Sequence, residues 1–480
     1  MSQKALFQKF RPIFYPRSIA IIGASKDERK IGNIWAKGIL NSGFTGDIYP
    51  VSHSGGEIQG LKIFPSLLSI PGPVDYVIVC IPREASTDLL DECIAKQVHA
   101  VHFFTAGFSE TGEDIGHDLE AELLKKSQQG NFNIIGPNCI GTYCPEHRIP
   151  YGPGGGLGES GSAGFISQSG GIGGKLVELG IADGIKYNKG ISFGNGTDLD
   201  GSDFLEYMAA DPKISVIGAY LEGTRNGRRL VTIIQETAKV KPLLIWKSGR
   251  TDAGASAAKS HTGSLASSFT IWSAMLKQTG AIQVYSVEEL ADSLLIFQLL
   301  QEYDGKGIAI IGGFADGGGG ICVSASDIFS EKGLNIPRLS SDTEQKLGDS
   351  LGRIVNILRN PVDVSMISGN PVIIQQTIET ILADSAIDLL LFEEDMGVLM
   401  KFLSPEAIEA INSAVIDFRK KQKKPIIAVL PHGLFEAQRL EMKIKLTQAN
   451  IPVFPTLDRA ATALKNLVQY THFQSSLKGQ

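Results

Sequence analysis

"VDYVIVCIPREASTDLLDECIAKQVHAVHFFTAG", residues 74–107, carries the pattern that sets the fold. Its ends, "VDYVIVCIP" (74–82) and "HAVHFFTAG" (99–107), are apolar runs of strand length. Runs this continuous suit strands buried on both faces of a parallel sheet. Between them, "EASTDLLDECIAKQ" (84–97) places its apolar residues at helical spacing. Strand, helix and strand in alternation are the mark of a doubly wound α/β domain.

The pattern continues outward. "SIAIIGAS" (18–25) precedes it and "FNIIGPN" (132–138) follows. A glycine-rich stretch, "YGPGGGLGESGSAG" (151–164), reads as a boundary loop. A second series runs through "GFISQSGGIGG" (164–174), "YNKGISFGNG" (187–196), "ISVIGAYLEG" (214–223) and "KPLLIWKSGR" (241–250), and helical "VEELADSLLIFQLLQEY" (287–303) closes it. A third opens with "GKGIAIIGGFADGGGG" (305–320) and includes "AIDLLLFEED" (386–395), "KKPIIAVLP" (423–431) and "NIPVFPT" (450–456). The expectation is three consecutive Rossmann-like or flavodoxin-like α/β domains with parallel sheets, over residues 1–146, 147–304 and 305–480.

Composition narrows the function classes. A chain of 480 residues is too long for one ordinary core. Its net charge of −6 gives no reason to expect nucleic acid or an anionic membrane as partner. No apolar run approaches the ~18 residues of a membrane span, and the first residues lack a signal-peptide core. Five scattered cysteines fit free thiols of a reducing compartment and show no metal-type spacing, so a cytoplasmic protein without a metal site is expected. The 54 glycines point to tight turns or to backbone that approaches a ligand closely.

Four stretches hold candidate chemistry. In "IIGASKDERKIG" (21–32), Gly23 follows a buried strand, and Lys26, Arg29 and Lys30 offer charge to a nucleotide-like ligand. The stretch is not a full GxGxxG and has no acid placed for a nicotinamide ribose, which argues against a dehydrogenase. In "ISQSGGIGG" (166–174), Ser167, Ser169, Gly170 and Gly171 offer hydroxyls and open N–H groups where a strand turns into a helix. Orphan donors and the helix dipole there favour an anion; the alternative is a tight crossover that needs glycine for packing. Glu222 closes the strand of "GAYLEGTRNGRR" (218–229), where its carboxylate could orient an imidazole. The alternative is a surface glutamate paired with Arg225 or Arg228. His261 sits in "AAKSHTGSLASS" (257–268) among small residues that have little to bury. Such a loop suits a histidine that carries a phosphoryl group; the alternative, which this stretch taken alone favours, is an idle exposed one.

Together these stretches resemble the NDP-forming acyl-CoA synthetases, the family that includes ADP-forming acetyl-CoA synthetase and, more distantly, succinyl-CoA synthetase. "KSGRTDAGASAAKSHTGSLA" (247–266) is similar to its phosphohistidine segment, and "IIGPNCIGTYCP" (134–145) to its GPNxxG hinge. "FISQSG", "FGNGTDLDGSDFLEYM" (193–208), "YLEG" and "HTGSLA" follow in the family's order, and "NPVDVS" (360–365) and "IPVFPTLDRAATAL" (451–464) resemble its third domain. "GFADGGGG" (313–320) departs from the family's asparagine- and proline-containing glycine loop.

The resemblance implies reversible coupling of acyl-CoA + Pi + ADP to acid + CoA + ATP through an acyl phosphate and a phosphohistidine. It makes His261 the phosphoryl carrier, Glu222 its partner, and Ser169, Gly170 and Gly171 the phosphate site. Coenzyme A would lie near Gly23, Ser25, Lys26, Pro82, Thr105, Ala106, Gly107 and Asn138. No ATP-grasp segment is recognised, so the expected partner is a separate ATP-grasp β subunit, as in α2β2 forms, which would hold most of the ADP or ATP with Mg2+. A small carboxylic acid, its acyl-CoA and phosphate are the expected ligands. Gly173 and Gly174 suggest room for an acid larger than acetate. An inactive CoA-binding regulatory or scaffold protein of the same fold is the competing expectation.

Overall fold

A computed structural model describes residues 2–256, 268–300, 303, 305, 307–312, 319–351, 358–364, 370–421 and 424–479. The chain divides into two compact units, 1–290 and 291–480.

The first unit holds two doubly wound sheets. Strands β1 (Ser18–Ile22), β2 (Asp47–Val51), β5 (Tyr76–Val79), β6 (Ala100–Phe103) and β7 (Asn133–Ile135) form the first, in the order β2-β1-β5-β6-β7. All its pairings are parallel. A small antiparallel hairpin, β3 (Gly56–Ile58) and β4 (Leu61–Ile63), follows β2. Every residue of β1, β5 and β6 is buried, as continuous apolar runs require. Helices α1 (Gln3–Phe14), α2 (Ile31–Asn41), α3 (Ser86–Lys96) and α4 (Asp114–Gly130) accompany it.

The second sheet contains β8 (Gly141–Tyr143), β9 (Ala163–Ser167), β10 (Tyr187–Ser192), β11 (Val216–Leu221), β12 (Leu243–Lys247) and β13 (Ile282–Val284). Its order is β13-β12-β11-β9-β10-β8. The strands are parallel except for β8, which closes the edge antiparallel to β10. Its helices include α5 (Gly170–Asp183), α6 (Gly201–Ala210) and α7 (Gly227–Val240).

One apolar core runs through both sheets, from Ile21 and Tyr76 to Ile166 and Ala219. Helix α1 ties them further: Phe10 and Phe14 stack on Tyr207 of α6 with ring centroids 4.7 and 5.2 Å apart. In the second unit β14 (Ile308–Gly312), β15 (Val362–Asp363), β16 (Leu389–Glu393), β17 (Ile426–Val429) and β18 (Val453–Phe454) pair in parallel, in the order β15-β14-β16-β17-β18. Three parallel-sheet α/β domains are therefore present. In each, the strand order reverses beside the first of the parallel strands, and such a reversal opens a crevice at the strands' C-terminal ends.

Candidate functional site

In the second sheet the reversal lies between β9 and β11. Strand β9 is wholly buried and delivers its last residue, Ser167, to that crevice. The Ser167 hydroxyl is itself buried and donates to the Ser169 carbonyl at 2.6 Å, so it braces the turn and faces no ligand. Ser169 caps α5 in extended conformation, its Oγ accepting from Ile172 N at 3.5 Å. The N–H groups of Gly170 and Gly171 head the helix and have no acceptor among the described residues. A Cβ at Gly171 would meet nothing within 4 Å, whereas one at Gly170 would lie 2.6 Å from Ile140 Cγ1.

Gly173 and Gly174 serve a different neighbour from the expected one. Tyr151 donates its hydroxyl to the Gly170 carbonyl at 2.9 Å. A Cβ at Gly173 would come within 2.0 Å of that hydroxyl oxygen. The space beside these glycines is filled by tyrosine and is not room for an acid.

Across the crevice, Glu222 follows β11 and is buried. Its N–H and that of Gly223 both donate to Gln168 Oε1, at 2.9 and 3.1 Å, while Gln168 N donates to the Tyr220 carbonyl at 3.0 Å. One amide side chain thus fixes the end of β11 relative to the turn that starts α5. Lys247, at the end of β12, is also buried, with its ammonium 5.5 Å from the Trp272 ring centroid. Burial lowers the Lys247 pKa, against the opposing charge of Glu222. Glu222 is therefore not a surface glutamate paired with Arg225. Arg225 instead bonds Glu120 of α4 at 2.7 Å and the Thr197 carbonyl at 2.8 Å. Residues 257–267, His261 among them, lie outside the described residues. The segment leading to His261 leaves from β12, which pairs with β11, the strand that Glu222 follows.

A cleft of about 620 Å³ joins the first two domains at this point. On its wall, Thr105, Ala106 and Asn138 meet Ser169, Gly170 and Gly171. Thr105 Oγ1 donates to the Ile81 carbonyl at 2.7 Å, and Asn138 N, in left-handed backbone, donates to the Thr105 carbonyl at 3.0 Å. Among the described residues no carboxylate lines this cleft. Neutral donors, a free helix N-terminus and apolar walls suit a thioester ligand that carries phosphates.

Gly23, Ser25, Lys26, Pro82 and Gly107 are not on that wall. Gly23 shapes the turn from behind: its φ is +90°, and a Cβ there would lie 2.6 Å from the Cys80 carbonyl oxygen. Ser25 Oγ accepts from Asp27 N at 3.2 Å. The Lys26 stem runs over Gly56 of the hairpin. Pro82 precedes a short 3-10 turn, and the Gly107 carbonyl accepts from Arg83 Nη1.

Gln168 also lines a second, smaller cavity of about 310 Å³. Its apolar wall is Phe193, Leu221 and Leu230, and its polar wall includes Asn195, Ser202, Asp200 and Glu120. Burial tends to raise the Glu120 pKa, but hydrogen bonds from Ser109, Thr197 and Asn195, with the Arg225 charge, hold it below its ordinary value. Sequence reasoning missed Gln168, Tyr151, Asn195 and Glu120. Only Gln168 left a signal, as a long polar side chain between a buried strand and a helix start. Among the described residues no three His, Cys, Asp or Glu side chains are grouped to hold a metal, and no helix is long and apolar enough to cross a membrane.

Comparison with known proteins agrees with this geometry. Residues 17–145 match the model of the CoA binding domain, and residues 160–297 that of the succinyl-CoA ligase like flavodoxin domain. The alpha subunit of acetate–CoA ligase [ADP-forming] I of Pyrococcus furiosus is 32% identical over 476 residues, covering 97% of this chain and 98% of the relative. A 4-hydroxybutyrate–CoA ligase [ADP-forming] of Nitrosopumilus maritimus is 29% identical, covering 98% of this chain and 65% of the relative. Among solved structures, the dinucleotide forming acetyl-coenzyme A synthetase 1 of Ca. Korarchaeum cryptofilum, in complex with phosphate and ADP, superposes with a TM-score of 0.86 at 28% identity. That match covers 98% of both chains. The chain belongs to the ADP-forming acyl-CoA ligase family and is an alpha subunit of the acetate–CoA ligase type, built on a CoA-binding domain and a succinyl-CoA ligase-like domain.

Proposed function

We propose that this subunit carries the acyl- and phosphoryl-transfer half of a reversible reaction: acyl-CoA + Pi + ADP ⇌ carboxylic acid + CoA + ATP. The observation that supports it best is the cleft, free of carboxylates among the described residues, whose wall combines Thr105, Ala106 and Asn138 with the Gly170 and Gly171 N–H groups at the start of α5. Coenzyme A would lie along the first of these groups, with Gly23, Ser25, Lys26, Pro82 and Gly107 shaping or flanking its bed, and supplies the thiol that leaves from the thioester.

Ser169 and the N–H groups of Gly170 and Gly171 would hold phosphate oxygens as negative charge builds on them. A phosphate oxygen attacks the thioester carbonyl, the C–S bond breaks, and CoA leaves as thiolate and takes a proton. An imidazole nitrogen of His261 then attacks the acyl phosphate at phosphorus and releases the carboxylate. An oxygen of the ADP β-phosphate takes the phosphoryl group from His261, giving ATP and restoring the imidazole. Glu222 would accept from the other ring nitrogen, fixing its tautomer and raising its basicity. Its anchoring by Gln168 suits that role, since phosphoryl transfer depends chiefly on positioning.

The nucleotide with Mg2+ is assigned mainly to a separate ATP-grasp β subunit, in an α2β2 assembly. The P. furiosus relative, matched over 98% of its length, is itself named a subunit alpha. We assign the enzyme to the cytoplasm and keep the domain limits 1–146, 147–304 and 305–480 as working boundaries. The test is ATP formation from acyl-CoA, phosphate and ADP by the chain combined with that partner. Activity that requires all three substrates and both subunits is expected. CoA binding without ATP formation would favour the inactive scaffold instead.

A further inference from the structure

We propose that Asn195 is a positioning residue for coenzyme A: from the second domain it holds the loop of the first that presents Thr105 and Ala106 to the cleft. The inference rests on the reading above, which puts the thioester ligand in that cleft. Asn195 is not itself on the cleft wall, so it acts through the groups it fastens.

Past Ala106 the loop turns away from the wall into a short 3-10 turn, Ser109–Thr111, and Glu110 closes that turn. Glu110 Oε1 accepts from Gly107 N at 2.6 Å, and its Oε2 accepts from Phe108 N at 3.1 Å. A carboxylate held by two successive N–H groups fixes the direction in which the chain leaves the cleft. Asn195 ties down that carboxylate. Its Nδ2 donates to Glu110 Oε2 at 2.6 Å and to Glu120 Oε2 at 3.0 Å, and Glu120 Oε2 also accepts from Ser109 N at 3.2 Å. Two carboxylates around one amide settle its orientation, with the NH2 toward them.

The backbone of Asn195 is fixed in turn by another part of the wall. Asn195 N donates to the Pro137 carbonyl at 3.1 Å, and Thr197 N to the Gly136 carbonyl at 3.0 Å. Gly194, which lines the cleft, packs so closely that a Cβ there would lie 2.2 Å from the Pro137 oxygen. One short segment therefore links the loop of Thr105 and Ala106 to the segment that presents Asn138. The residue type matters. Alanine would leave Glu110 and Glu120 without the donor between them. Aspartate, of the same shape, would add a third carboxylate and repel both.

The test measures CoA binding to the full chain by calorimetry and, with its ATP-grasp partner, kcat and KM for acetyl-CoA and phosphate. Asn195→Ala should weaken CoA binding and raise the acetyl-CoA KM about 10-fold, the low end for a hydrogen bond to a charged group. Its kcat and phosphate KM should stay within about twofold of wild type, a split that a general loss of structure would not produce. Asn195→Asp should weaken CoA at least as much although it keeps the shape. On a Glu110→Ala background, Asn195→Ala should cost no more than about a further twofold, because the link is already cut. CoA affinity within about twofold of wild type in both single variants would overturn the proposal. So would a fall in kcat and a rise in both KM values together with a lowered Tm, or full additivity with Glu110→Ala. A wild-type chain that fails to bind CoA would instead refute the ligand reading, and the proposal with it.

Discussion

Ser169→Ala separates a structural role for the α5 cap from a phosphate-binding one. The Ser169 Oγ lies 3.5 Å from Ile172 N, beyond the ~2.7–3.2 Å of a good hydrogen bond, so as a cap it ranks at the weak end, about 0.5 kcal/mol. For a unit of this size that is a fall in Tm of about 1–2 °C. A hydroxyl that donates to a phosphate oxygen is worth more, ~1.5–3 kcal/mol, or roughly 10- to 150-fold in kcat/KM for phosphate. The assay is ATP formation at varied phosphate with acyl-CoA and ADP saturating, alongside a thermal melt. Ser167→Ala is the control, because its buried hydroxyl holds the Ser169 carbonyl at 2.6 Å and its loss should cost ~1–3 kcal/mol of stability. A Ser169→Ala enzyme whose phosphate kcat/KM stays within about twofold of wild type would refute the assignment, since one charged hydrogen bond is worth more.

Gly171→Ala should leave stability level or raise it by up to ~1 kcal/mol of helix propensity while raising the phosphate KM, because its Cβ would project into open space. Gly170→Ala should lower Tm, because its Cβ would meet Ile140 Cγ1 at 2.6 Å, and Ile140→Ala should restore part of the loss. Burial pushes the His102 pKa from 6.5 down to about 4, only partly offset by the bond to the Cys139 carbonyl. The folded value lies below the unfolded one, so the stabilisation is complete above pH ~6.5 and fades as pH falls toward ~4, by at most about 3 kcal/mol. Urea midpoints over that range should fall, and His102→Asn should flatten the slope. Lys189, fully buried and 2.7 Å from Asp211, forms an ion pair whose rupture by Lys189→Ala should cost ~3–5 kcal/mol in urea unfolding. A loss below ~1 kcal/mol, typical of surface pairs, would mean the pair is effectively solvated.

Parallel strands buried on both faces announce themselves, and β1, β5, β6, β9 and β11 all read directly as apolar runs. Strand β8 did not, because three residues at an antiparallel edge carry no period of their own. The strand order was also hidden, since it depends on which face each crossover helix takes. At the site, Ser169, Gly170 and Gly171 were legible as a helix start rich in donors. Glu222 was legible by position, but its surroundings were not. Local sequence offered it Arg225 as partner, and the fold gives Arg225 to Glu120 across 105 positions of chain. Gly173 and Gly174 misled for the same reason: the side chain that needs their space, Tyr151, comes from an earlier loop. Long-range packing decided each case.

The most direct test of the central claim is acid-labile phosphorylation of the chain by radiolabelled ATP in the presence of its ATP-grasp partner. Labelling confined to His261, absent in His261→Ala, and discharged on adding CoA with the acid substrate is the predicted result. Label that persists in His261→Ala, or that CoA and acid fail to discharge, would contradict the account.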